Sequence, residues 1–107
     1  MPARSDDRAK PEVIFKSAMY YVYLLLLSNQ DVYKGFTEDI PQRINKHKRG
    51  KVQSTKNYLP LKLIGYEAYR LKSDALRRER FLKTTEGKRL LKRQYRDIIN
   101  QYLNKRK

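Results

Sequence analysis

No cysteine occurs anywhere in this 107-residue chain, and histidine occurs once, at His47. Together these absences exclude a disulfide framework and a thiolate metal site and leave almost nothing for structural zinc, so any metal must be hard and held by oxygen. Acidic residues are scarce too: 11 Asp plus Glu face 26 Lys plus Arg, a formal charge of +15. Such an excess repels itself unless a polyanion shares the surface, which makes nucleic acid the expected partner. Long apolar runs are also missing. The stretch from Met19 to Leu27 is far shorter than the roughly 20 residues a bilayer span requires. The first eighteen residues mix acids with bases and lack a signal-peptide core. The expectation is a soluble cytoplasmic monomer with no membrane partner.

What is present organises itself as a small α+β (α/β) unit. Residues 1–12, "MPARSDDRAKPE", are polar with two prolines and read as a flexible tail, leaving 13–107 as one domain. "MYYVYLLLLS" over 19–28 is apolar on both alternating faces, as a central strand covered on two sides would be. "NQD" is turn chemistry, and "VYKGFT" alternates after it, giving an antiparallel hairpin. Thr37 or Asp39 then caps a helix over roughly 40–49, with Pro41 in its first turn and Gly50 placed to end it in a left-handed conformation. After the polar loop "GKVQSTKNYLP", "LKLIGYEAY" reads as a third strand. Ser73 is the expected cap of a second helix, and Thr85 starts a third carrying Leu91, Tyr95, Ile98 and Tyr102 at helical spacing. The fold class is therefore a small three-stranded antiparallel sheet flanked by helices.

Charge is unevenly spread: residues 70–107 hold 14 Lys plus Arg against 4 Asp plus Glu. Solvated faces usually mix both signs, so the basic C-terminal helix is the expected polyanion-facing element. Tyr23 and Tyr33 lie on adjacent strands, Arg43 and His47 lie one helical turn apart on a shared face, and Gly35 lets backbone approach something closely. Glu79 is less ordinary, because Leu76 and Leu82 at three residues on either side put it on the apolar stripe of the second helix. A carboxylate there needs a partner, either a neighbouring arginine such as Arg78 or Arg80, or a hard metal in a cleft.

These residues carry a resemblance. "YVY" at 21–23, "YKG" at 33–35, "RINKH" at 43–47 and "ALRRERFLK" at 75–83 together make the chain, from Met19 to Arg93, similar to the GIY-YIG nucleases of the small stand-alone bacterial kind. The resemblance implies that Tyr23 and Tyr33 line a catalytic face, that Arg43 and His47 reach the scissile phosphate, and that Glu79 holds one divalent metal, Mg²⁺ or Mn²⁺. It also implies endonucleolytic hydrolysis of DNA by activated water, leaving a 5′-phosphate and a 3′-hydroxyl, in repair, recombination or processing. Three positions depart from the family pattern: Tyr21 replaces the first glycine, Lys34 the central aliphatic, and Lys48 an asparagine of many relatives. Lys34 alternates away from Tyr33, so its charge must find solvent or a helix carboxylate on the opposite face.

A geometric condition follows for the two tyrosines. In an antiparallel pair, Tyr33 shares a face with Tyr23 only if paired residue numbers sum to an even value. A two-residue turn at Asn29-Gln30 would give an odd sum unless a bulge flipped the alternation, so the reading predicts an odd-length connection, three residues centred on Asn29 or Gln30. The alternative function is a catalytically silent nucleic-acid-binding scaffold. A structural, ribosome-associated basic protein ranks last, since it gives no reason for Glu79 on an apolar stripe.

Overall fold

The computed structural model describes residues 18–106; the tail expected over 1–12 and the domain start at Val13 lie outside them. Strands β1 (Tyr20–Leu26), β2 (Val32–Thr37) and β3 (Lys62–Tyr69) form one antiparallel sheet in the order β2-β1-β3. The strand that is apolar on both alternations is thus the central one, as burial on two sides demands. Val22, Leu24 and Leu26 point to one face, with Val32, and pack against Ala75, Leu82 and Leu91. Tyr23, Leu25 and Leu27 point to the other and pack with Ile44 and Leu61.

Helix α1 (Ile40–Lys48) covers the Tyr23 face and begins where Asp39, not Thr37, caps it: the Asp39 carboxylate accepts from the Gln42 N–H at 3.1 Å. Lys46 and Lys48 in its last turn suit the negative end of the helix dipole. Gly50 follows with φ +72°, the left-handed conformation that closes helix ends.

The opposite face carries α2 (Lys72–Leu82), α3 (Thr85–Gln94) and α4 (Arg96–Arg106). Ser73 does not cap α2: the position before the helix is Leu71, and no side chain bonds there. Asp74 in the first turn supplies the favourable charge instead. What fixes α2 laterally is Glu67 of β3, which accepts from Arg78 Nε and Nη2 at 3.0 and 3.2 Å and from the Tyr69 hydroxyl at 2.6 Å. Burial and that carboxylate push the Tyr69 phenol up to about 12.

Thr85 does open a helix, with Thr84 capping it through the Gly87 N–H. The single long C-terminal helix expected from periodicity is broken, however, at Tyr95. Its ring seats over Gly65 of β3, and α4 then turns to lay Ile99 and Tyr102 on the same core. Leu63 is exposed on the outer strand β3, and the β1–β3 register shifts between Leu24 and Leu25. Among the described residues, no helix is long and apolar enough to cross a membrane.

Candidate active site

The hairpin meets the parity condition. Tyr23 pairs with Gly35 and Tyr33 with Leu25, so both tyrosines stand on the α1 face. Leu27 N donates to Asp31 O at 2.9 Å, closing a connection of Ser28, Asn29 and Gln30. Gln30 adopts φ +75°, the left-handed third position that this loop length uses, and the Asn29 side chain accepts from the Asp31 N–H at 3.1 Å.

Gly35 shows why a side chain is absent there. A Cβ at this position would overlap the ring and hydroxyl of Tyr23, its cross-strand neighbour. The phenol therefore lies flat against β2 backbone and reaches toward α1. There, Arg43 and His47 sit four residues apart on the helix face turned to the sheet.

The result is a continuous hydrogen-bonded chain. Arg43 Nε donates to Tyr23 Oη at 3.1 Å, Tyr23 Oη lies 2.8 Å from His47 Nε2, and His47 Nδ1 lies 2.8 Å from Thr55 Oγ1. Arg43 can only donate; with the Tyr23 hydroxyl donating to His47 Nε2, the imidazole carries its proton on Nδ1 and donates it to Thr55. Tyr23, His47 and Thr55 are all 0% exposed. The Tyr33 ring closes the cluster, with its centroid 6.1 Å from that of Tyr23 and 5.2 Å from that of His47.

Burial decides the protonation states. It pushes the Tyr23 phenol up to about 12, against the opposing pull of the Arg43 hydrogen bond. It pushes His47 down to about 4, with the Arg43 charge adding to the effect. The hydrogen bond to Tyr23 raises Arg43 above its ordinary value. At neutral pH the cluster is thus a phenol, a neutral imidazole and a guanidinium. Tyr33, half-buried, and Arg43 form its accessible end. Arg43 spends Nε on Tyr23, and its two Nη atoms carry the other four N–H donors, with Tyr33 also interacting with the guanidinium.

Glu79 stands apart. It lies with Ala75 and Leu82 on the sheet-facing side of α2, its side chain 15% exposed, so its place on the apolar stripe is as the sequence implies. Its ion-pair partner is Lys83, at 3.1 Å, rather than Arg78 or Arg80. Among the described residues, no hydrogen bond or ion pair joins Glu79 to the other four, and no group of three or more His, Cys, Asp or Glu could hold a metal. A lone carboxylate fits a hard cation that draws most of its ligands from water and substrate phosphate, the manner in which Mg²⁺ is commonly held.

Thr55 was not signalled by the sequence, since it lies in an aperiodic loop. The one available clue was that a buried imidazole needs a partner at each nitrogen.

The family model of the GIY-YIG catalytic domain matches residues 19–95. The chain belongs to the GIY-YIG family. Its relatives include the UPF0213 proteins of Staphylococcus aureus strains Mu3 and Mu50. Each is 38% identical over 73 residues, which cover 66% of this chain and 89% of the relative. A solution NMR structure of the UPF0213 protein BH0048 from Bacillus halodurans is 33% identical, with a TM-score of 0.46 over 68% of this chain and 81% of that one. The GIY-YIG domain is a nuclease domain, and the names of these relatives state no activity. The family match spans β1 through Tyr95 and so takes in all five residues singled out from the sequence.

Proposed function

We propose that this GIY-YIG chain is a metal-dependent endonuclease that hydrolyses DNA phosphodiester bonds. The observation that carries the reading is the Arg43–Tyr23–His47–Thr55 chain, a buried polar network whose only accessible cation is aimed by the groups behind it. Hydrolysis of a phosphodiester needs charge stabilisation on the non-bridging oxygens and an oriented water. Arg43 meets the first need with its Nη donors. Tyr33 meets the second by hydrogen-bonding the attacking water. Tyr23 and His47 act as positioning residues: the phenol holds Arg43 through Nε, and the imidazole, anchored on Thr55, holds the phenol. With its phenol pushed up to about 12, Tyr23 is a poor proton acceptor at neutral pH. Glu79 would hold one divalent cation, Mg²⁺ or Mn²⁺, which when bound supplies charge neutralisation and an activated water.

The test is nicking of supercoiled plasmid and of branched DNA with Mg²⁺ or Mn²⁺, with and without chelator, by the wild type and by Glu79→Gln. The variant should lose cleavage and keep DNA binding at equal or greater strength, because it removes a charge that repels phosphate. The Glu79–Lys83 ion pair favours a second reading, a nucleic-acid-binding scaffold that does not cut. In that case neither protein nicks, and Glu79→Gln changes thermal stability alone.

A further inference from the structure

On the sheet face away from Tyr23, β2 and α3 leave an open cleft of about 510 Å³. Lys34 of β2 and Lys88, Arg89 and Lys92 of α3 line it, with Thr85 and a single acid, Asp31. None of the five candidate site residues does. On and just after α2 three cations stand beside acids, Arg77 with Asp74, Arg78 with Glu67 and Lys83 with Glu79, while among the described residues Lys72 and Arg80 of α2 and Arg93 of α3 form no ion pair. Among the described residues, Lys88, Arg89 and Lys92 form no ion pair, and Lys88 and Lys92 are like charges one helical turn apart, which works against the helix.

Lys34 is the sharper observation. It pairs with Leu24 in the sheet, a register position on the apolar core face, where an aliphatic side chain would pack. Its ammonium instead donates to the Val32 carbonyl at 3.0 Å, which uses one of three N–H donors. Among the described residues no helix carboxylate meets it, so of the two outcomes expected from sequence, solvent or a helix carboxylate, the open cleft supplies the first. Burial and the Lys88 charge push the amine below its ordinary value; Lys83 and Lys92 add to this and Asp31 opposes it. A half-buried cation ringed by cations disfavours the free fold, and an anion in the cleft would relieve it.

We propose that this cleft is a phosphate site that seats a backbone phosphate of nucleic acid, with Lys34 at its floor and Lys88, Arg89 and Lys92 at its rim. The proposal rests on nucleic acid as the partner, not on cleavage. β2 is an edge strand, and Tyr33 and Lys34 are adjacent residues on its two faces. A nucleic-acid strand crossing that edge meets the candidate active site on one side and the cleft on the other.

Three variants test it by fluorescence anisotropy on a fluorescein-labelled DNA duplex across a salt series: Lys88→Ala with Lys92→Ala, Lys34→Ile, and a control of equal charge change, Lys51→Ala with Lys56→Ala. A companion NMR titration adds inorganic phosphate to the ¹⁵N-labelled wild type. The cleft double variant should bind at least tenfold more weakly near 0.1 M salt, with a log–log salt slope shallower by about 2. Lys34→Ile should melt at a higher temperature and still bind more weakly, and phosphate should shift the amides of Lys34, Lys88 and Lys92. If Lys34→Ile is more stable and binds normally, and the cleft double variant loses no more than the control, Lys34 merely reaches solvent along its stem and the proposal fails while nucleic-acid binding stands. Phosphate shifts with unchanged DNA affinity would assign the cleft to free phosphate and overturn the backbone contact. A wild type that binds no DNA overturns this proposal and the nucleic-acid reading together.

Discussion

On the α1 face of the sheet, Arg43, Tyr23, His47 and Thr55 pass hydrogen bonds from one to the next, and each buried polar atom in the chain has a partner. On the α3 face, like charges that repel each other, Lys34 and the lysines of α3, share a cleft with one acid. Both faces use the same strands, and adjacent residues of β2 serve each. The difference is one of preorganisation. A satisfied buried network has a single low-energy geometry, which suits a group that must meet a transition state without moving. Half-exposed lysines on long stems keep their freedom and suit an electrostatic contact indifferent to sequence.

The comparison breaks most visibly at Arg43. Arg43→Ala removes the guanidinium of the buried network and strips Tyr23 of a donor. Turnover should fall about 10²- to 10³-fold, the cost typical of losing one preorganised donor to a developing oxyanion. DNA affinity should fall as well. Lys88→Ala with Lys92→Ala should leave turnover at saturating DNA unchanged. Single-turnover cleavage at two DNA concentrations separates the outcomes, and a turnover loss in both variants would abolish the distinction between the faces.

The next effect is one of pH. The folded-state pKa of His47 is about 4, against an ordinary value of 6.5. Below 6.5 the unfolded chain therefore binds a proton that the folded chain refuses. Stability is fully present above pH 6.5 and is lost as pH falls toward 4, by up to about 3 kcal/mol. Tyr23, Tyr33, Arg43 and Thr55 surround the ring, and none of them offers a negative charge to retain the proton. Urea unfolding at pH 7.5, 6 and 5 measures the slope. Because the chain has one histidine, its imidazole signals are unambiguous, and titration near 6.5 would show that the ring is open to water.

Gly35→Ala probes how closely the strands hold Tyr23. The added methyl collides with the phenol, and either β2 moves or the ring leaves Arg43 and His47. Overpacking of this kind costs about 2 kcal/mol. A loss of turnover larger than the loss of stability would show that the ring moved. Gly65, under Tyr95 on the other face, gives the matched comparison, since its alanine variant should destabilise without touching turnover.

The first half of the fold is legible in the sequence for physical reasons. The period of β1, the Asn-Gln-Asp turn, Asp39 before Pro41, and Gly50 are local signals, and the structure places β1, β2, α1 and β3 within one or two residues of them. The parity of the hairpin followed from requiring two phenols on one face. The break at Tyr95 was not legible, because no glycine or proline marks it and its cause is a contact with Gly65, 30 residues earlier. The Glu79 stripe could be read from spacing, but its partner could not, since α2 offers several cations and only geometry chooses Lys83. Thr55 escaped for the same reason: a loop residue becomes part of a site only through the fold that brings it to His47.

The smallest effect tests the end of that chain. Thr55→Val keeps the shape of the side chain and removes the oxygen that accepts from His47 Nδ1, leaving a buried N–H without a partner at about 1 kcal/mol or slightly more. The imidazole can relieve this by moving its proton to Nε2. It would then face the Tyr23 hydroxyl with a donor, and the phenol would have to turn its own hydrogen elsewhere. Arg43 would lose the oriented oxygen that holds Nε. Thr55→Val should thus lower turnover more than its small effect on stability explains, and Thr55→Ser should restore both. The ¹⁵N shifts of the single histidine report the tautomer directly: the proton is expected on Nδ1 in the wild type and increasingly on Nε2 in Thr55→Val. A wild-type ring already protonated on Nε2 would reverse the direction of the chain and remove Thr55 from the set of positioning residues.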